Sequence, residues 1–332
     1  MGTDTRATIV VVPRERFSAS QRSLESLYRD TQSAFDLVYV DGGSPGPVRR
    51  YLTREAERRG FRLIRTNHYL SPNQARNLGL RHVETPYVAF VDNDVIVTPG
   101  WLERLVRCAE DTGAAVVGPL CLIGELDEQR IHIASGDARI EERNGQRALV
   151  ERHRHSGKLV ADVQARLRCE PSEVVEFHTL LARTSVFTRL GPLDEGLLNT
   201  REHVDFCMRV RAAGAEIYFE PASVMTYLPP RELTWADVRY MMLRWSESWS
   251  RATLEHFCRQ WDLPMTTFEQ HVSWLVSHRQ MAIDPWIAPV RRIAGYRLGR
   301  QLEHRVLRPL ELRVNKLLFH APVPMAAPMS GR

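Results

Sequence analysis

PYVAFVDND, residues 86–94, is the stretch on which the fold turns. Its β-branched and aromatic opening suits a strand buried on both faces of a sheet. For the aspartates that close it such burial would be costly unless something pairs with the carboxylate. Asp92 and Asp94 therefore belong where the strand leaves the core. Two roles fit them there. Like charges so close repel, and a bound cation keeps both ionised at neutral pH. Alternatively, each caps a backbone N–H ahead of the helix that starts near Pro99.

Outward from this strand the pattern repeats. TIVVVP (8–13) is a first strand stopped by proline, and DLVYVDGG (36–43) a second that ends in Asp41 and two glycines. FRLIRT (61–66) and AAVVGPL (114–120) supply the third and fifth. Amphipathic helical spacing fills 19–30, 47–58, 71–83 and 100–111, the third of these expected to turn Ala75, Leu78 and residues 80–83 inward. Alternation of this kind predicts an α/β fold with a mostly parallel, Rossmann-like sheet, whose ligands bind outside the carboxyl ends of the strands. Pro13, Asp41 and Asp92 all fall at such ends, which predicts a nucleotide-type cleft.

From 121 to 175 the regularity fails, and the polar, mixed sequence reads as an antiparallel excursion or a mobile loop. VEFHTLLARTSVFTRLGPLDE (175–195) restores a strand and short helix, REHVDFCMRVRAAG (201–214) is a helix with a glycine stop, and AEIYFEP (215–221) is a strand closed by proline. LTWADVRYMMLRWSESWSRATLEHFCRQW (233–261) then opens a mainly helical, aromatic-rich region, and the chain ends in a tail expected to fray.

Composition narrows the classes. Of 332 residues, 43% are hydrophobic and 26% charged, which is a globular balance. MGTDTRATIVVV lacks the charged and apolar regions of a signal peptide, and no window approaches a spanning helix. The cysteines (Cys108, Cys121, Cys169, Cys207 and Cys258) are odd in number and include no CxxC, so reduced thiols in a cytoplasmic protein are expected. The formal charge is +5, and from Arg291 to Lys316 eight Arg or Lys stand against two Glu. A basic helix with Leu, Val and Ile at intervals of three and four fits an anionic membrane surface, a face docked on its own domain, or a homodimer contact. No nucleic-acid partner is expected, because the cations follow one helical region without a reading motif.

DGGS (41–44), ARNLG (75–79), DND (92–94) and EHVDFCMR (202–209), in that order and spacing, resemble a family 2 glycosyltransferase of the GT-A fold. The resemblance covers about residues 6–230. It implies a GT-A domain over 1–230, with a nucleotide-sugar half to about 120 and an acceptor half over 121–230, followed by a helical extension, 231–332. It implies an inverting transfer from a nucleotide-diphosphate-sugar donor to a hydroxyl acceptor in a glycan, lipid-linked molecule or natural product. By the same resemblance Pro13 and Arg14 border the donor, Asp41 reads the nucleobase, and Arg76 and Asn77 help hold the nucleotide. Asp92, Asn93 and Asp94 form the element that binds the diphosphate, with Asp92 and Asp94 holding Mn²⁺ or Mg²⁺. A hard cation there stabilises the charge that gathers on the leaving diphosphate.

Two positions depart from the family pattern. Where relatives place an acidic general base, this chain has His203, flanked by Glu202 and Asp205; an imidazole or either acid fits the role. Where many relatives place a metal-binding histidine after the later strand, this chain has Tyr227, a poor ligand. On the acceptor side the resemblance points to His132, His178, Asp194, Glu195 and Tyr227, with Phe177, Trp235 and Trp245 as stacking platforms. A catalytically silent GT-A protein and a nucleotidyltransferase are the competing readings.

Overall fold

The computed structural model describes residues 5–143, 145–229 and 234–319. The chain divides into two compact units, one formed by Met1–Asp194 with Arg201–Pro230, the other by Glu195–Thr200 with Arg231–Arg332.

The first unit opens with β1 (Ala7–Val12), α1 (Ser20–Asp30), β2 (Phe35–Gly42), α2 (Gly46–Arg59), β3 (Arg62–Thr66) and α3 (Pro72–Leu80). It continues through β4 (Tyr87–Asp92), β5 (Val95–Val97), α4 (Trp101–Thr112), β6 (Val116–Ile123) and β7 (Ile131–Ile133). A separate antiparallel hairpin, β8 (Gly136–Arg143) and β9 (Gln146–His153), is followed by α5 (Val160–Val163), β10 (Glu170–Pro171), β11 (Thr179–Arg183), α6 (Ser185–Leu190), α7 (Glu202–Ala212) and β12 (Ile217–Tyr227).

The main sheet has the order β10-β12-β6-β11-β4-β1-β2-β3. Its half over β4, β1, β2 and β3 is parallel, as the continuous apolar runs of β1 and β4 suggest. β11 enters antiparallel between β4 and β6, so the sheet as a whole is mixed. Every residue of β1 and β4 is buried, and their side chains join those of α1 and α4 in the principal core.

Two local expectations need correction. α3 ends at Leu80, and its buried face is Asn73, Ala75, Arg76, Asn77 and Gly79; Leu78 and Leu80 are only half-buried, and Arg81 and His82 are exposed. The reciprocal cap between Ser71 and Gln74 sets the start of this helix. β12 does not stop at Pro221 but runs on to Tyr227, because a register shift between Glu220 and Val224 releases the ladder bond that proline cannot make. The polar stretch after 121 is an antiparallel excursion, as one of the two expected readings had it: β7, the hairpin and β10 all pair antiparallel.

The second unit is helical among its described residues: α8 (Trp235–Arg244), α9 (Glu247–Trp261), α10 (Glu269–Ser277), α11 (Asp284–Leu302) and α12 (Arg308–Leu318). The helical pattern of 233–261 is divided between α8 and α9. Ser246 caps α9 by accepting from the Trp249 N–H, which favours a new start over continuation.

Candidate active site at the strand ends

Asp92 ends β4 in register with Val12, the last residue of β1. Asn93 braces the turn: its Oδ1 accepts from the Arg14 N–H at 2.9 Å, and its Nδ2 donates to the Arg16 carbonyl at 3.3 Å and to Ser20 Oγ at 3.1 Å. The loop after β1, including buried Pro13, is thereby held against the end of β4.

The two aspartates sit in different surroundings. Asp92 Oδ1 accepts from Arg76 Nη2 at 2.9 Å, and both side chains are fully buried. Its Oδ2 faces His178 Nδ1 at 3.2 Å and Arg14 Nε at 3.6 Å. Burial alone would push this carboxyl up; Arg76, His178 and Arg14 together outweigh burial and hold it below its usual range. Asp94 keeps both buried oxygens without a hydrogen-bond partner among the described residues. Burial first, then Asp92 and Glu15, push its carboxyl well above the usual range. A cation resolves such an orphaned carboxylate beside an ionised one. Asp92, Asp94 and His178 each offer a ligand atom, all within 4.8 Å of one another. The donor set fits a divalent ion.

His178, expected on the acceptor side, thus stands with the aspartates. The antiparallel pairing of β11 and β4 puts it there, the Asp92 N–H donating to the His178 carbonyl at 3.0 Å. Tyr227 lies beside the same group: its ring stacks on that of His178 at 4.2 Å, its hydroxyl donates to Glu15 at 2.9 Å, and the next residue, Leu228, donates its N–H to the Asp94 carbonyl. His178 itself sits immediately ahead of β11. His132 packs edge-on to His178 at 5.2 Å, and burial, then His178, lower its pKa to about 3.

α7 begins next to this cluster. Glu202 Oε1 accepts from Arg14 Nη1 at 3.1 Å, so one guanidinium spans Asp92 and Glu202. His203 Nε2 lies 3.4 Å from Glu176 and 3.5 Å from Glu151, without an aligned hydrogen bond among the described residues. Burial depresses its pKa against the opposing pull of Glu176 and Glu202. Burial would raise the Glu176 carboxyl, but the imidazoles of His203, His178, His153 and His132 hold it well below its usual range. Asp205 is buried and faces Arg209 of the same helix at 3.7 Å. Glu151, His153 and Glu176 escaped the sequence reading; the first two sit in the irregular polar stretch, and Glu176 is the unremarked neighbour of His178 in VEFH.

Other expected donor residues have structural duties. Arg76 is fully buried, tied to Asp92 and laid over the Phe177 ring at 4.1 Å, so it is not positioned to meet a phosphate. The Asn77 amide donates to the Leu193 carbonyl at 2.8 Å and accepts from the Leu193 N–H at 2.9 Å. It bridges backbone where a nucleotide contact was expected. Asp41 accepts from the Ser44 N–H and hydroxyl, closing the turn at Gly43, and pairs with Arg65. Asp194 contributes its carbonyl to the Asn73 amide. Phe177 is fully buried between Phe90 and Phe206 and offers no sugar platform. Glu195, Trp235 and Trp245 belong to the second unit, where Trp245 stacks on His278 and Trp235 is exposed.

A mixed sheet with acidic strand ends, an Asp-Asn-Asp turn and an acidic helix start defines the GT-A class. Residues 8–162, just under half of the chain, match the family described as glycosyl transferase family 2. The pre-mycofactocin glycosyltransferase of Mycobacterium tuberculosis (strain H37Rv) is 27% identical over 231 residues, 68% of this chain and 43% of that protein. The chain thus spans less than half the length of this relative. An uncharacterized glycosyltransferase of Bacillus subtilis (strain 168), EpsJ, is 30% identical over 104 residues, 30% of this chain and 28% of its own. Among solved structures, GalNAc-T7 with UDP, GalNAc and Mn²⁺ superposes with a TM-score of 0.51 over 82% of this chain and 58% of that one, at 14% identity. That likeness concerns the fold alone.

Proposed function

We propose that the chain transfers a sugar, with inversion, from a nucleotide-diphosphate-sugar to a hydroxyl acceptor. The observation that carries this reading is the orphaned Asp94 carboxylate beside Asp92 and His178 at the strand ends. Asp94 and His178, with one oxygen of Asp92, would hold the metal, and an imidazole in the set favours Mn²⁺ over Mg²⁺. Bound there, the ion supplies positive charge to the leaving diphosphate. Arg76 keeps Asp92 ionised and in place. Asp41 lies at the end of β2, on the nucleoside side. His203 takes the acceptor proton at Nε2, its neutral form favoured by burial, and Glu176 at 3.4 Å steadies the imidazolium that results.

The silent reading draws on one observation: two arginines already balance Asp92. Thermal unfolding against UDP-, GDP- and dTDP-sugars, each with and without Mn²⁺, separates the two. UDP-sugars head the panel because the solved neighbour is named with UDP and Mn²⁺. A selective, manganese-dependent rise supports transfer; no rise with any donor supports the silent protein.

A further inference from the structure

We infer that α11 and α12 dock the protein on an anionic lipid surface. On α12, Leu310, Val314, Leu317 and Leu318 recur at the spacing of one helical face, and all four are exposed. On α11, Trp286 and Ile293 lie seven residues apart, ahead of the break at Gly295, and are 70% and 87% exposed. Side chains of this size are rarely left in water together unless another apolar phase receives them.

The charges of the same segment are sorted. From Arg291 to Lys316 the acids are Glu303 and Glu311, and both are held by arginines of their own unit: Glu303 by Arg291 at 2.7 Å, Glu311 by Arg279 at 2.6 Å; Asp284, at the start of α11, accepts from Gln280. Arg292, Arg297, Arg300, Arg305, Arg313 and Lys316 remain exposed, with no acidic partner among the described residues. Exposed cations interleaved with exposed Ile, Leu and Trp match a bilayer interface, where the apolar side chains enter the headgroup boundary and the cations meet lipid phosphates. A second copy fits this face worse, since like pairing would set cation against cation. No helix among the described residues is long and apolar enough to cross the membrane, so the contact is with the surface. This inference is independent of the sugar-transfer reading.

The test is flotation of the full chain with vesicles of phosphatidylcholine alone or with one-third phosphatidylglycerol. Anionic vesicles should bind the chain at least about tenfold more than neutral ones, with the difference shrinking as salt is raised. The pairs R297E/R305E and I293S/L317S should each lower binding at least about tenfold. Both pairs lie on the exposed face, so circular-dichroism melting should match the parent chain. Equal binding to the two lipids, or double variants that bind as the parent does, would overturn the inference. So would a stable dimer in sedimentation that I293S/L317S dissociates.

Discussion

Asp92 and Asp94 share a turn but hold their protons differently, and that difference is measurable residue by residue. Asp92 is half of a fully buried ion pair with Arg76, and removing one partner of such a pair costs about 3–5 kcal/mol. R76M should therefore lower stability by that amount in denaturant titration. Asp94 predicts the opposite sign. Its carboxyl is raised above the ordinary 3.8, so folding favours its protonated form. That contribution is fully present below the ordinary value and is lost as pH rises through the raised one. In metal-free protein D94N should flatten this decline and match or exceed the parent's stability at neutral pH, while abolishing any manganese-dependent shift in melting. A D94N protein that melts lower without metal would contradict the orphaned-carboxylate account. For His203, burial lowers the pKa below 6.5, with Glu176, Glu151, Glu202, His153, Arg201 and Arg14 around it. A neutral base is lost on protonation, so the acid limb of kcat/KM should fall below pH 6.5 and vanish in H203Q. A limb unchanged in H203Q would assign the proton to another group.

At the scale of elements, the close approach of α3 to β1 is the feature most exposed to test. A Cβ at Gly79 would come within 2.3 Å of the Val10 side chain and 3.3 Å of that of Val40, and both valines are fully buried in the sheet. G79A should cost about 1–3 kcal/mol and shift the α3 residues that hold Asp92 and Leu193; an unchanged denaturation midpoint would show that the helix can ride outward. The same elements show what the sequence could convey. β1, β2 and β4 were legible because their apolar runs end abruptly, β1 at Pro13 and β2 and β4 in an aspartate that marks both strand and site. The helix–strand crossing at Gly79 was half legible: the motif was visible, but not that Arg76 and Asn77 face inward. His178 was visible as a residue but not as a neighbour of Asp92, since that closeness depends on β11 running antiparallel to β4. Nothing local announces such a pairing. Glu151 and His153 were illegible because a solvent-facing hairpin need not carry the period-two apolar pattern that reveals a strand.

For the whole molecule, the tryptophans are placed to report on one unit at a time. Six of the seven lie in the second unit, and Trp101 alone belongs to the first, whereas the metal-ligand candidates Asp92, Asp94 and His178 are all in the first. A ligand that binds only the folded form raises stability as RT ln(1 + [L]/Kd), about 2.7 kcal/mol at a hundredfold excess over Kd. Nucleotide-sugar with Mn²⁺ should therefore raise the part of the far-ultraviolet melting curve that comes from the first unit. The tryptophan-fluorescence transition should stay within experimental error of its ligand-free midpoint. Equal shifts in both signals would mean that the two units unfold as one cooperative body, and the donor site would then stabilise the helical unit as well. A shift in fluorescence alone would place the ligand in the second unit and remove the Asp94 site from the account of binding.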